Sequence, residues 1–483
     1  MSYNQSRLRR ANERPIARDA DHVLYWMQAF RRLHSNHALD YALKCARELG
    51  KPLVVYEGLR FDYPWASDRF HRFVLEGMLA NQAAARRLGV SYWPFVATPE
   101  QPGRGLLRKL AERACLVVTD DHPCFVVPDQ IEALARKTER AVIAVDANSV
   151  VPLSLLGAPV SAAAHLRPRI HKAFADAWSH RAKPDPEVPD VARGLVEAPF
   201  ATWDGDIERA LAAVPIDHTV APVRGLTGGT DAARERLRDF VQTRLSLYAE
   251  TRSRPAAPED GAASGLSPYL HFGHLSIEEV IAAVLTKAYG TPDVKLGAPG
   301  KREGFYGTDP NVNGFLDEAI TWRDVGHHWH QTRRADTATL DRALPAWALA
   351  TLAKHAADPR KQVYSLAQWE AAKTHDPLWN AAQKELVRTG TMHNYLRMLW
   401  GKKVIEWSAS TDDAYKTLVH LNNKYAMDGR DPNSYTGILW CFGLFDRPWA
   451  PERPVLGSIR YMSSDNTAKK FKLDSYLRYV ASL

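Results

Sequence analysis

Between Asp376 and Trp407 the chain reads DPLWNAAQKELVRTGTMHNYLRMLWGKKVIEW, which sets Trp379, Trp400 and Trp407 around a polar Asn394/Arg397 pair. Thr391 follows Gly390 and can cap a helix from Met392 to about Trp407. Residues three, four and seven apart share a helix face, so His393, Arg397, Trp400, Val404 and Trp407 form one stripe with Asn394 beside it. Trp400 and Trp407 would then lie about 10 Å apart along the axis. Asn394 and Arg397, three apart, can face one ligand, and a guanidinium there favours an anionic group. Pattern alone also allows all three indoles to be core or surface anchors.

Three other segments carry chemistry-bearing residues. In SGLSPYLHFGHLS, Ser264, Gly265, Leu266 and Ser267 precede a helical stretch, where hydroxyls and free backbone N–H groups suit phosphate oxygens; ordinary capping is the competing reading. In LDEAITWRD, Glu318 lies four residues before Trp322, on the same helix face. In LNNKYAMDGRDPN, Asn422 precedes a run of turn formers that includes Asp428, Asp431 and Asn433. His327, His328 and His330 in VGHHWHQTRR lack an accompanying Cys or carboxylate set at ligand spacing, so no metal site is expected.

The elements that must position these residues fall into two kinds. VLYWM (23–27), PLVVYEG (52–58), VSYWPFV (90–96), CLVVTD (115–120) and AVIAVD (141–146) read as buried strands. They alternate with helical patterns at 36–49, capped by Ser35 or Asn36, and at 68–88, which argues for a doubly wound parallel sheet of Rossmann-like α/β type. No GxGxxG or GxxxxGK[ST] opens any of these helices, so a cofactor held elsewhere, or an accessory chromophore, is expected. The stretch 183–224, rich in Pro, Asp, Ala and Val, reads as a surface connection. After Gly229 the pattern turns helical, beginning with DAARERLRDFVQTRLSLYA capped by Thr230, and no strand pattern of comparable length returns. The expected organisation is an α/β domain over 1–165, a linker over 166–225 and an all-helical domain over 226–483.

With 483 residues, 45% apolar and 24% charged, a globular chain of two or three domains is expected rather than a disordered or membrane protein. The net charge of +8 is compatible with a polyanionic partner and does not by itself establish one. Cys45, Cys115, Cys124 and Cys441 are scattered without CxxC pairing, as for free thiols in a reducing cytoplasm. The Arg-rich start, lacking an apolar h-region, reads as a surface arm, and no apolar run approaches the ~20 residues of a membrane span.

MHNYLRM resembles the flavin-binding helix signature of DNA photolyases and cryptochromes, and the spacing of Trp379, Trp400 and Trp407 resembles that of the class II cyclobutane pyrimidine dimer photolyases. VLYWMQAFRRLHSNHALDYAL, LNNKYAMDGRDPNSYTGILW and GSIRYMSSDNTAKKF extend the likeness over nearly the whole chain, in order. The resemblance implies non-covalent FAD, with Tyr248, Arg252 and the Ser264–Ser267 turn at its diphosphate. It places Asn394 and Arg397 on the flavin side, Asn422 facing the reactive nitrogen and Asp428 pairing with Arg397, with Asp431 and Asn433 as further candidates. Trp400 would lie beside the flavin, with Trp379 the middle hop and Trp407 the surface terminus of an electron relay. Trp322 and Trp440 would stack the lesion and Met398 line its pocket, while Glu318 stabilises the lesion radical anion. Arg460 would fill the gap left in the duplex. The segment after TWRD departs from the family, since VGHHWHQTRR stands where most class II chains run into an Asn-aromatic-Cys pattern.

These readings imply light-driven repair of pyrimidine dimers in UV-damaged duplex or single-stranded DNA by a monomeric cytoplasmic flavoprotein, with a folate or deazaflavin antenna possible in the N-terminal domain. The alternative is a cryptochrome-type photoreceptor without repair activity.

Overall fold

The computed structural model describes residues 3–333 and 339–483; Met1, Ser2 and 334–338, including Arg334 of the histidine segment, lie outside the described residues. The chain divides into two compact units. The first comprises 1–157, 169–239 and 265–299, and the second 158–168, 240–264 and 300–483.

In the first unit, β1 (Leu8–Arg10), β2 (His22–Met27), β3 (Leu53–Leu59), β4 (Ser91–Val96), β5 (Ala114–Asp120) and β6 (Ala141–Val145) form one sheet of order β1-β6-β5-β2-β3-β4. All pairings are parallel except β1 against β6. Every residue of β2, β5 and β6 is buried, as continuous apolar runs covered on both faces should be. Helix His37–Leu49 starts where the Asn36 side chain accepts from the N–H groups of Ala38 and Leu39, and it stops at Gly50 in the left-handed region. Asp120, at the carboxyl end of β5, accepts from the backbone N–H groups of Gln28, Ala29 and Phe30, all at 2.8 Å, and from the Tyr25 hydroxyl at 2.7 Å. That buried carboxyl ties β5 to the turn after β2, where the strand order reverses.

The second unit is helical, and among its described residues there is no named strand. Helix Pro310–Leu316 runs into a π-helical turn, Asp317–Trp322, and then helix Arg323–Arg333. A short helix, Leu366–Glu370, is followed by Pro377–Thr389, Asn394–Trp407, Thr411–Tyr425 and Pro432–Cys441. Helix Asn394–Trp407 packs against the three long helices among these. Gly401 makes one approach possible, because a Cβ there would lie 2.5 Å from Cys441 Sγ.

Four expectations are corrected. The Arg-rich arm contributes β1, too short a strand to show alternation. The expected linker does not separate the units, because 169–239 belongs to the first, and 265–299 joins it. The helix expected after Gly229 stops at Asp239 and passes through a π-turn and a 3₁₀ turn before Tyr248. The helix expected from Met392 begins at Asn394 with His393 as its cap, since the Thr391 hydroxyl is engaged with Thr389 Oγ1 at 3.0 Å while His393 Nδ1 accepts from Tyr395 N at 3.2 Å.

Candidate functional site

Asp376 caps helix Pro377–Thr389 by accepting from Trp379 N at 2.9 Å, which fixes Trp379 in the first turn and Gln383 one turn later. Both hold Trp400: the Trp379 indole N–H donates to Trp400 O at 3.1 Å, and the Trp400 indole N–H donates to Gln383 Oε1 at 2.9 Å. The two buried indoles therefore have their polar edges satisfied, and they lie parallel, 7° apart in plane and 6.4 Å between centroids. Trp407, expected at the surface, is only 6% exposed, covered by His375 at 4.6 Å and Tyr364 at 6.1 Å. A fourth indole, which sequence reading missed, stands between: Trp369 lies 4.7 Å from Trp379 and 6.3 Å from Trp407.

Beside this row of rings, Arg397 Nη2 donates to Asp428 Oδ1 at 3.2 Å, joining two residues 31 apart as the resemblance implied. Both side chains stay partly open, and Asn394, one turn before Arg397, is exposed. Met398 is partly buried. Asn422 is buried on helix Thr411–Tyr425, its amide donating to Ser434 Oγ. Asp431 is placed as the N-cap of helix Pro432–Cys441, accepting from Asn433 N at 2.9 Å. Asn433 faces Gly326, where any Cβ would come within 2.5 Å of its Oδ1. These two residues thus have structural work in the helix packing.

The sequence also gave no sign of Glu385. It accepts from the Tyr476 hydroxyl at 2.8 Å and from His393 N at 3.4 Å, and burial pushes its carboxyl up to about 7. Burial likewise pulls His393 down to about 4, so its ring is neutral near pH 7 and free to accept at the helix cap.

Of the expected diphosphate residues, Tyr248 is buried against Phe240 and Phe315, and Ser264 is partly buried in the second unit. Gly265, Leu266 and Ser267 belong to the first unit. Gly265 has φ 66, and a Cβ on it would lie 2.4 Å from Arg236 Nη2, so this turn requires glycine twice over. Arg236, which no motif marked, therefore lies against the turn, with its Nη1 3.6 Å from Asp239 Oδ2.

Arg252, expected near the diphosphate, lies between Glu318 and the expected diphosphate residue Tyr248. Its Nη1 forms an ion pair with Glu318 Oε1 at 2.7 Å, and its guanidinium lies 5.7 Å from the Tyr248 ring. Burial pushes the Glu318 carboxyl up, and Arg252 opposes the shift. Glu318 and Trp322 share the π-helical turn, and Trp322 stacks on Trp440 at 5.2 Å with 29° between planes. Arg460 is exposed, its guanidinium 5.0 Å above Trp449; Arg447 lies 5.0 Å from the same ring. The histidines that depart from the family pattern are buried within helix Arg323–Arg333, and the Nδ1 groups of His327 and His330 donate to backbone carbonyls four residues back. Among the described residues no group of three or more His, Cys, Asp or Glu could hold a metal ion.

The arrangement combines an internal row of aromatic rings, a partly open Arg–Asp pair and a stacked Trp pair with a paired carboxylate on the same turn. No protein-family model matches the chain. It is 34% identical over 490 residues to the deoxyribodipyrimidine photo-lyase of Methanothermobacter thermautotrophicus, covering 99% of this chain and 98% of that one. It is 35% identical over 480 residues to the enzyme of that name from Oryza sativa subsp. japonica, covering 95% and 88%. Among solved structures it resembles a class III photolyase from Agrobacterium tumefaciens, with TM-score 0.68 and 18% identity over 96% of this chain and 87% of that one. A Synechocystis cryptochrome gives 0.66 and 17%, over 95% and 88%. The chain belongs to the deoxyribodipyrimidine photo-lyase family. The structural likenesses, at that identity, speak for the fold.

Proposed function

We propose that this protein repairs cyclobutane pyrimidine dimers in DNA with light, using FAD held in the helical unit. The observation that carries the reading is the parallel, hydrogen-bonded Trp400/Trp379 pair, with Trp400 about one turn along helix Asn394–Trp407 from Arg397, itself paired with Asp428 and partly open. FAD, when bound, would supply the photoexcited electron. Arg397, held by Asp428, would favour a reduced anionic ring, with Asn394 and Asn422 as hydrogen-bonding partners. Tyr248 and Ser264 are the diphosphate contacts proposed in this unit. Folate or deazaflavin is the antenna class proposed for the α/β unit.

A dimer must leave the duplex to reach an internal cofactor. The stacked Trp322 and Trp440 offer it an aromatic surface, and Glu318 stands on the Trp322 turn with its charge offset by Arg252. The Glu318 carboxyl, which burial biases toward its neutral form, would stabilise the electron-loaded dimer while its ring opens and the electron returns, leaving no net redox change. Arg460, Trp449 and Arg447 form a cation–aromatic stack suited to the gap in the duplex. No helix among the described residues is long and apolar enough to cross a membrane. The four cysteines are free and buried, which supports a reducing, cytoplasmic setting.

Acid release from the purified chain should yield about one FAD per protein and no covalent flavin. A colourless protein that takes up no FAD on reconstitution would overturn the proposal. A photoreceptor would also bind FAD, and the repair assay described below separates the two.

A further inference from the structure

We infer that Trp369 is the connecting member of the electron relay, standing between Trp379 and Trp407; this rests on the flavin reading above. Among the described residues no ring contact joins Trp379 directly to Trp407. Each instead contacts Trp369, at 4.7 Å with planes 59° apart on one side and at 6.3 Å with planes 7° apart on the other. The relay is thus a continuous row of four indoles, Trp400, Trp379, Trp369 and Trp407.

Trp369 is held firmly. It sits on the five-residue helix Leu366–Glu370, started by a reciprocal capping box in which the Ser365 and Gln368 side chains each bond the other's backbone N–H. Its ring is almost fully buried, so reorganisation on oxidation is small compared with an indole in water. Core packing alone would explain the burial but not why the ring bridges two other indoles. At the outer end, Lys403 Nζ lies 5.2 Å from the Trp407 ring, a charge that opposes its oxidation, but it is paired with Glu406 at 2.6 Å.

A vacancy left on Trp379 is filled by one electron from Trp369, and that on Trp369 by one electron from Trp407; no bond forms or breaks at either hop. The buried Trp407 radical cation keeps its indole proton, and a thiolate reductant in solution restores the neutral ring by giving up one electron and becoming a thiyl radical.

Two measurements on the full chain test this. In apo-protein, indoles this close should couple electronically, and Trp369→Phe should remove a far-ultraviolet circular-dichroism couplet; an unchanged spectrum overturns the packing on which the inference rests. In flavin-loaded protein, flash spectroscopy should give tryptophan-radical lifetimes rising in the order Trp379→Phe, Trp369→Phe, Trp407→Phe, wild type. If Phe loosens the core, Trp369→Tyr serves in its place, because a phenol in a dry site gives up an electron only if its proton also leaves. A folded, flavin-loaded variant at position 369 that retains the long-lived wild-type phase overturns the role of Trp369 alone. A wild-type chain that binds no flavin overturns instead the reading beneath it.

Discussion

Glu318 is the residue at which binding and chemistry separate most cleanly. Its carboxyl is pushed up by burial and pulled back by Arg252, whose Nη1 lies 2.7 Å from Oε1. Glu318→Gln keeps shape and hydrogen bonding while removing the acid. It should lower the quantum yield of repair several-fold, roughly 1 kcal/mol or more of lost stabilisation, with FAD content and dimer affinity nearly unchanged. Yield per absorbed photon and lesion binding, measured on one preparation, check this; an unchanged yield removes Glu318 from the mechanism. Trp400→Phe should behave in the opposite way. It removes the first ring of the relay, so photoreduction of the oxidised cofactor should be lost while repair by chemically reduced protein persists. Equal loss of both would make Trp400 a structural residue.

At the scale of elements, the start of the relay helix and the C-terminal helix Asp474–Ser482 are fastened by Glu385 through His393 N and Tyr476. A carboxyl raised from 4.5 to about 7 binds its proton more tightly in the folded chain than in the unfolded one. Its contribution is therefore fully favourable below about pH 4.5 and is lost as pH rises through about 7. Glu385→Gln should stabilise the protein by roughly 2–4 kcal/mol at pH 8 and by little at pH 4.5, read from denaturant midpoints at the two pH values. A pH-independent difference would mean that the carboxyl is not titrating.

Elements with long periodic runs were legible in the sequence. The five parallel strands and helices His37–Leu49 and Asp68–Leu88 fall within a residue or two of expectation. β1 was hidden because three residues cannot display alternation. Trp369 was hidden because its helix has five residues and its partners come from other helices. The Arg252–Glu318 pair spans 66 positions, and neither residue carries a local signal for the other. The Arg397–Asp428 pair was reached only through family likeness, since DGRDPN by itself is a turn.

The whole molecule carries +8, and the Arg447–Trp449–Arg460 stack adds exposed cation and ring in one place. Binding to dimer-containing DNA should weaken steeply with salt, log K falling by about 0.9 per neutralised phosphate for each unit of log salt concentration. Arg460→Ala should reduce affinity for dimer-containing duplex more than for the same lesion in a single strand, where no base-pair gap needs filling. Equal losses in titrations of both substrates would leave Arg460 a phosphate contact only.

The most direct measurement of function is a blue-light assay on DNA carrying a cyclobutane pyrimidine dimer, with the flavin reduced beforehand and a dark control run in parallel. Expected is light-dependent restoration of intact pyrimidines over many turnovers, with no net consumption of reductant and none in the dark. Flavin-loaded, pre-reduced protein that binds the DNA yet leaves the dimer intact under light would contradict a repair function and leave the photoreceptor alternative.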